Sequence, residues 1–137
     1  MKEKKVVYVA GPYRSKWGKL GILFNITRAR KVARQLWKQG YAVVCPHSNS
    51  AFMSCKGIPE FHFLHGCLTI LERCDAVVLL PGWEKSEGTR EELQLAYNLK
   101  KEIYEWNSWA DRTLLMKKNQ SQSVSIPLKF NIKKKES

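Results

Sequence analysis

Three runs of five apolar, β-favouring residues leave this chain few folds to choose from. Val6-Val7-Tyr8-Val9-Ala10, Tyr41-Ala42-Val43-Val44-Cys45 and Ala76-Val77-Val78-Leu79-Leu80 are continuous rather than alternating, as strands buried on both faces are. Each is cut off at once by a breaker: Gly11-Pro12, Pro46 and Pro81-Gly82. Helical spacing follows every one of them. Ile26, Ala29, Val32, Ala33, Leu36 and Trp37 recur at helical intervals from Asn25, or a residue or two earlier, until Gly40, while Arg28, Arg30, Lys31, Arg34 and Lys38 fall outside that stripe and read as a solvated face. Gly57-Ile58-Pro59 leads into a second helix ending near Arg73, and Gly88 to Lys101 makes a third. Ile103-Tyr104 begins a poorly defined fourth strand. Strands alternating with helices predict an α/β fold: a Rossmann-like or flavodoxin-like parallel sheet flanked by helices, as a single domain.

That topology constrains where chemistry can sit. Loops leaving parallel strands gather on one edge of the sheet, where ligands bind. The loops after the three clear strands are Gly11 to Lys19, Pro46 to Ser50 and Pro81 to Gly88, so Tyr13, Arg14, His47, Asn49, Trp83, Ser86 and Glu92 are expected around one cleft. Asp75 opens the third strand and, at about 3.3 Å per residue, lies some 15 to 20 Å from that edge. It is discounted as catalytic.

The densest chemistry lies between the third strand and its helix. There a hydroxyl (Ser86), a glycine (Gly88) and the carboxylates Glu87, Glu91 and Glu92 surround a helix start, whose N–H groups and dipole favour anions. Glu92 has two readings. Thr89-x-x-Glu92 matches a capping box, in which the glutamate bonds back to its own backbone. Pointing into the cleft instead, it would be kept ionised at neutral pH by the positive helix end, as a carboxylate nucleophile requires.

Charge and cysteine content narrow the class. The net charge of +12 draws phosphate-bearing partners, nucleotide or nucleic acid. Part of it is local: Lys117 to Ser137 carries six lysines against one acid, for which solubility alone is the simpler account. No apolar run approaches the roughly 18 to 20 residues of a membrane span, and Val6 to Ala10 is too short for the core of an export signal, so no membrane partner is expected. Cys45, Cys55, Cys67 and Cys74 lack C-x-x-C spacing and sit in or beside apolar segments, which fits reduced thiols in a cytoplasmic protein. His62, His65 and Cys67 make a poor zinc set, so neither metal nor cofactor is expected.

These residues are familiar in combination. Tyr8-Val9-Ala10-Gly11-Pro12-Tyr13-Arg14, Asn25 on the first helix, Cys45-Pro46-His47, Cys74-Asp75-Ala76 through Trp83, and Ser86-x-Gly88-Thr89-x-x-Glu92-x-x-x-Ala96 resemble the nucleoside 2-deoxyribosyltransferase superfamily, over roughly Val6 to Ile103. The resemblance is closest to small, largely uncharacterised bacterial and phage proteins within it. It implies cleavage or exchange of the N-glycosidic bond of a deoxynucleoside or its monophosphate. Glu92 stands at the position of the nucleophile that forms a covalent sugar intermediate. Ser86 and Arg14 stand where the family's monophosphate hydrolases contact phosphate, which makes a nucleoside 5′-monophosphate the preferred substrate over a nucleoside. Tyr13 and Trp83 are expected against base or sugar, with Gly11, His47 and Gly88 lining the same site. A homo-oligomer whose subunits complete each other's pockets is also implied.

One departure stands out. Close relatives carry an aspartate in a Phe-Leu-x-Gly-Asp-Leu pattern that handles protons on the base; here the stretch reads Phe63-Leu64-His65-Gly66-Cys67-Leu68. A thiol with a reference pKa of about 8.5 is a poorer acid and no ionised acceptor. The expected function is therefore an N-glycosidase or deoxyribosyltransferase acting on nucleoside 5′-monophosphates through Glu92. The alternative is a catalytically weak or inactive nucleotide- or nucleic-acid-binding module on the same fold. Pro81-Gly82 through Gly88-Thr89-x-x-Glu92 also resembles, in outline, the signature of nucleotide phosphoribohydrolases. Residues 1–106 are expected to form the deoxyribosyltransferase-like domain. Residues 107–137 form a basic, partly mobile extension capable of weak nucleic-acid contact, with a short helix over Trp109 to Met116 and an edge strand over Val124 to Phe130 as its candidate elements.

Overall fold

In a computed structural model the protein is described at residues 3–49, 53, 56–106 and 117–118. The elements run β1 (Val6–Ala10), α1 (Gly18–Lys38), β2 (Ala42–Val44), α2 (Pro46–Asn49), α3 (Glu60–Glu72), β3 (Ala76–Leu79), a 3-10 turn (Trp83–Lys85), α4 (Glu87–Asn98), β4 (Glu102–Glu105) and β5 (Lys117–Lys118). The strand order is β2-β1-β3-β4-β5, and the first four are parallel. The two-residue β5 pairs antiparallel with β4. This is the α/β sheet that the three apolar runs predict.

Alternation along β1 divides the core. Val7 and Val9 face α1, in a cluster with Ala29, Val32, Ala33 and Leu36. Tyr8 and Ala10 face the other way, in a cluster with Leu71 of α3 and with Leu93 and Ala96 of α4. A fully buried leucine such as Leu36 or Leu93 contributes about 1.5 to 3 kcal/mol. The sheet is thus sandwiched between α1 on one side and α3 with α4 on the other. Because β2 and β3 flank β1 on opposite sides, the chain reverses its direction of travel across the sheet there. The crevice for a ligand then falls between the loops after β1 and β3.

Several local expectations need correcting. Helix α1 begins at Gly18, seven residues before Asn25, because its first two turns leave Leu20, Leu23 and Phe24 exposed and so lack a buried stripe. Pro46-His47-Ser48-Asn49 is one helical turn rather than a plain loop, with proline in first position, where its missing N–H costs nothing. Asp75 does lie at the start of β3, where its Oδ2 accepts the Val6 N–H at 2.7 Å. Among the described residues no helix is long and apolar enough to cross a membrane. The helix over Trp109 to Met116, the strand over Val124 to Phe130 and the partial mobility of residues 107–137 fall outside the described residues.

Candidate active site

Glu92 does not cap its helix. The N-cap of α4 is Ser86, whose Oγ accepts the Thr89 N–H at 3.3 Å and the Thr89 hydroxyl at 3.0 Å. Thr89 is therefore the third helical residue, and Glu92 lies a turn deeper, past the reach of a capping box. Only Thr89-x-x-Glu92 matches the capping-box pattern, but the helix starts three residues earlier on a plain Ser86 N-cap.

From that second turn Glu92 reaches inward to Tyr8 of β1. Burial pushes its carboxyl up to about 7; the Tyr8 hydroxyl pulls down and the charge of Glu91 pushes up. The sequence-based expectation that the helix end would hold Glu92 ionised is thus overturned, because loss of water outweighs a dipole that fades within the first turn. Tyr8 is fully buried, and its Oη has no well-formed hydrogen bond among the described residues. Burial raises its pKa, and Glu92 and Cys67 of α3 raise it further, so the phenol keeps its proton. Cys67 is likewise pushed up, by burial first and by the Glu92 charge second. A carboxyl, a phenol and a thiol from three elements therefore meet on one face of the sheet. Tyr8 and Cys67 hold their protons at pH 7 and Glu92 exchanges its own.

The surrounding loops are tied to the scaffold from α1. Asn25 Nδ2 donates to the carbonyls of Tyr13 at 3.1 Å and Arg14 at 3.4 Å, and an Arg28 guanidinium nitrogen donates to the Pro81 carbonyl at 3.5 Å. One helix thereby positions the loops after both β1 and β3. His47, 4% exposed, donates from Nε2 to the Pro12 carbonyl at 2.8 Å, which leaves Nδ1 buried and unpartnered among the described residues. Burial lowers its pKa, so the ring stays neutral near pH 7, and its edge meets Tyr13 at 5.8 Å between ring centroids.

A model of the DUF4406 family, described as a domain of unknown function, matches residues 5–105. The chain belongs to that family. No curated protein matches it. Among solved structures it is similar to a 2-deoxyribosyltransferase from the psychrotolerant bacterium Bacillus psychrosaccharolyticus. Identity is 24%, the TM-score 0.52, and the match covers 72% of this chain and 69% of that one. The fold expected from the resemblance, a deoxyribosyltransferase-like sheet flanked by helices, is the fold of this DUF4406 chain.

Not every expected site residue reaches the cluster. Trp83 is 4% exposed and belongs to the core with Tyr8, Leu79 and Leu93, so it has no free face to stack on a base. Gly11 is buried, and a Cβ there would meet the Leu80 side chain at 2.6 Å, so the chain packs too closely at this point for any side chain. Asn49 is exposed and lines a groove on the β2 edge, away from Glu92. Arg14 is exposed and paired with Glu60 at the start of α3. Gly88 has open space where a side chain would be, and Ser86 is half-buried beside it. His62 and His65 contact the ring of Phe61, and no three metal-ligating side chains cluster among the described residues.

Tyr8 and Arg28 are functional candidates that sequence reasoning passed over. A signal for Tyr8 was present, since it is the one polar-tipped residue in β1 and period two places it opposite Val7 and Val9. Arg28 was grouped with a solvated face, although its backbone position beside buried Ala29 leaves its side chain half-buried.

Proposed function

We propose that this protein is an N-glycosidase or deoxyribosyltransferase for nucleoside 5′-monophosphates, with Glu92 as the nucleophile. The observation that carries the reading is the placement of Glu92: half-buried beside the Tyr8 phenol, with loss of water raising its proton affinity to about 7. The ionised carboxylate attacks the anomeric carbon. The C–N bond breaks with its electron pair leaving on the base nitrogen, which takes a proton, and a covalent sugar ester forms. Water, or a second base, then attacks the same carbon and restores the carboxylate. Tyr8 donates its hydrogen to the carboxylate oxygen that is not attacking and orients it.

For the phosphate, Ser86 accepts twice from Thr89 and still has its own hydroxyl hydrogen to donate. Arg14 exchanges Glu60 for the phosphate at little cost, because both partners are exposed. Tyr13 packs on the base or sugar. Exposed Trp17, Leu20 and Phe24 at the start of α1, next to the loop that carries Tyr13, support a homo-oligomer in which a second copy covers the mouth of the site. Free Cys45, Cys67 and Cys74 suit a reducing, cytoplasmic setting. The basic extension over residues 107–137 adds weak nucleic-acid contact.

One observation favours a second reading. Cys67 holds its proton too tightly to act as an ionised acceptor for a base amino group. A nucleotide-binding module that lost its turnover would carry such a substitution. The two readings separate when ribo- and deoxynucleoside monophosphates are incubated with the protein and free base is measured by chromatography. Base release abolished by Glu92→Ala supports the enzyme; binding without release, unaffected by Glu92→Ala, refutes it in favour of the module.

A further inference from the structure

A groove of about 600 Å³ lies on the outer edge of the sheet, between α1 and β2, and the Glu92 chemistry uses none of it. Its lining includes Arg30, Arg34 and Trp37 from α1, Val43 from β2, and Ser48 and Asn49 from α2. The two arginines and the tryptophan follow one another at helical spacing, so they form a single stripe with guanidinium groups about 5 to 6 Å apart at the Cβ atoms. Trp37 is 54% exposed, so part of its indole is free to meet a ligand in the groove. Arg30 stands close enough to Cys45 at the end of β2 for its charge to act on that thiol, so the guanidinium overhangs the groove. Among the described residues no acidic side chain lines the groove, and α1 contains none over its 21 residues. Neither arginine is paired with a carboxylate among the described residues.

We propose that this groove binds a single-stranded polynucleotide, with a base stacked on Trp37 and successive phosphates on Arg34 and Arg30. A free mononucleotide would engage one arginine and leave the other idle. A duplex keeps its base faces covered and gains nothing from the indole. A single strand offers both an open base face and phosphates in series, the pairing that aromatic and cationic stripes recognise. Ser48 and Asn49 on the opposite wall add neutral donors and acceptors for sugar or base edges. The turn that carries them also carries His47, whose ring faces inward to Pro12.

The test measures fluorescence anisotropy of labelled 12-nucleotide DNA and RNA single strands and of the matching duplex, with the full chain over a series of salt concentrations. Trp37→Ala is expected to weaken single-strand binding about 5- to 150-fold, the effect of losing one stacked base, and Trp37→Phe to restore most of it. The Arg30→Gln, Arg34→Gln pair is expected to flatten the plot of log affinity against log salt by about 1.4, from two phosphates at about 0.7 each. Preference for DNA or for RNA supports the proposal in either case and identifies the sugar. Single-strand affinity and salt slope unchanged in both variants overturn it, as does a duplex that loses as much from Trp37→Ala, or polyglutamate binding with the same sensitivity to both variants. Should Trp37→Ala fail to fold by circular dichroism, the arginine pair and Trp37→Phe decide alone. Release of base from monophosphates is expected to be unchanged in Trp37→Ala, and oligonucleotide binding unchanged in Glu92→Ala, so failure of one reading leaves the other standing.

Discussion

Replacing Glu92 by glutamine should make the protein more stable, and only above a defined pH. A carboxyl whose proton affinity is higher folded than unfolded favours the fold below its unfolded pKa, and this advantage is lost as pH rises through the folded value. For Glu92 those limits are the ordinary 4.5 and about 7. At about 1.4 kcal/mol per pH unit between them, the full penalty above pH 7 is about 3 kcal/mol. Local relaxation and water entry reduce it, so the expected gain from an isosteric neutral side chain is about 1 to 3 kcal/mol at pH 8, and nothing at pH 4. In a folded body of this size that raises the melting temperature by roughly 5 to 20 °C. Glutamine keeps an oxygen able to accept from Tyr8, while its amide N–H groups need partners of their own, which sets the lower end of that range. The measurement is thermal unfolding of wild type and Glu92→Gln from pH 4 to 8, with exposed Glu91→Gln as a control expected within about 0.5 kcal/mol of wild type. A Glu92→Gln protein that melts at or below wild type at pH 8 refutes the burial cost, and with it the inward placement of the side chain.

The remaining predictions follow from the same geometry. On the proposed reading the rate of base release rises with pH through about 7, as Glu92 ionises; Tyr8→Phe removes the hydroxyl that holds its pKa down and moves this limb upward in a pH-rate profile, at a cost in denaturant stability under about 1 kcal/mol, because the buried hydroxyl has no well-formed partner. Cys67→Asp places a second carboxyl beside Glu92 and pushes the joint titration higher, as titration of the site by carboxyl-resolved NMR would report; an unmoved Glu92 would show that α3 does not face it. Gly11→Ala drives a methyl to 2.6 Å from Leu80 and should cost about 1 to 3 kcal/mol in urea unfolding, while leaving the pH-rate profile of the surviving folded protein in place.

Much of the scaffold was legible because buried parallel strands write themselves as unbroken β-branched runs, and this chain has three of them with sharp ends. The fourth, Glu102–Glu105, was only half legible, since a glutamate stands at each end and leaves only Ile103 and Tyr104 between them. The start of α1 was illegible for a related reason. Periodicity reports a helix only where one face meets a core, and from Gly18 to Phe24 the apolar side chains look outward. At the site, topology correctly gathered the loops after β1, β2 and β3 on one edge. It could not say that the helix would start on Ser86 instead of Thr89, a shift of three residues that decides whether Glu92 bonds its own helix start or faces Tyr8. Trp83 and Gly11 belong to the loops at the ligand edge, and both are packed into the core beneath it, a burial that loop position alone does not reveal.

The electrostatics of the site tie its parts together on the proposed reading. Burial raises Glu92 to about 7 even in a chain of net charge +12, so diffuse positive charge on the surface does not offset the loss of water around this half-buried carboxyl. A nucleoside monophosphate would worsen this, because it brings up to two negative charges into the same cleft and like charge raises a carboxyl further. Glu92 can act as a nucleophile on such a substrate only if the phosphate is neutralised locally. On the β1 and β3 loops Arg14 can supply that charge and Ser86 a hydrogen bond beside it, and Asn25 and Arg28 hold those loops to one helix. Phosphate binding and ionisation of the nucleophile are then one event: the arginine that captures the substrate also sets the charge of the group that attacks it. A loss of Arg14 would consequently appear in kcat as well as in KM, whereas a residue serving affinity alone would leave kcat untouched.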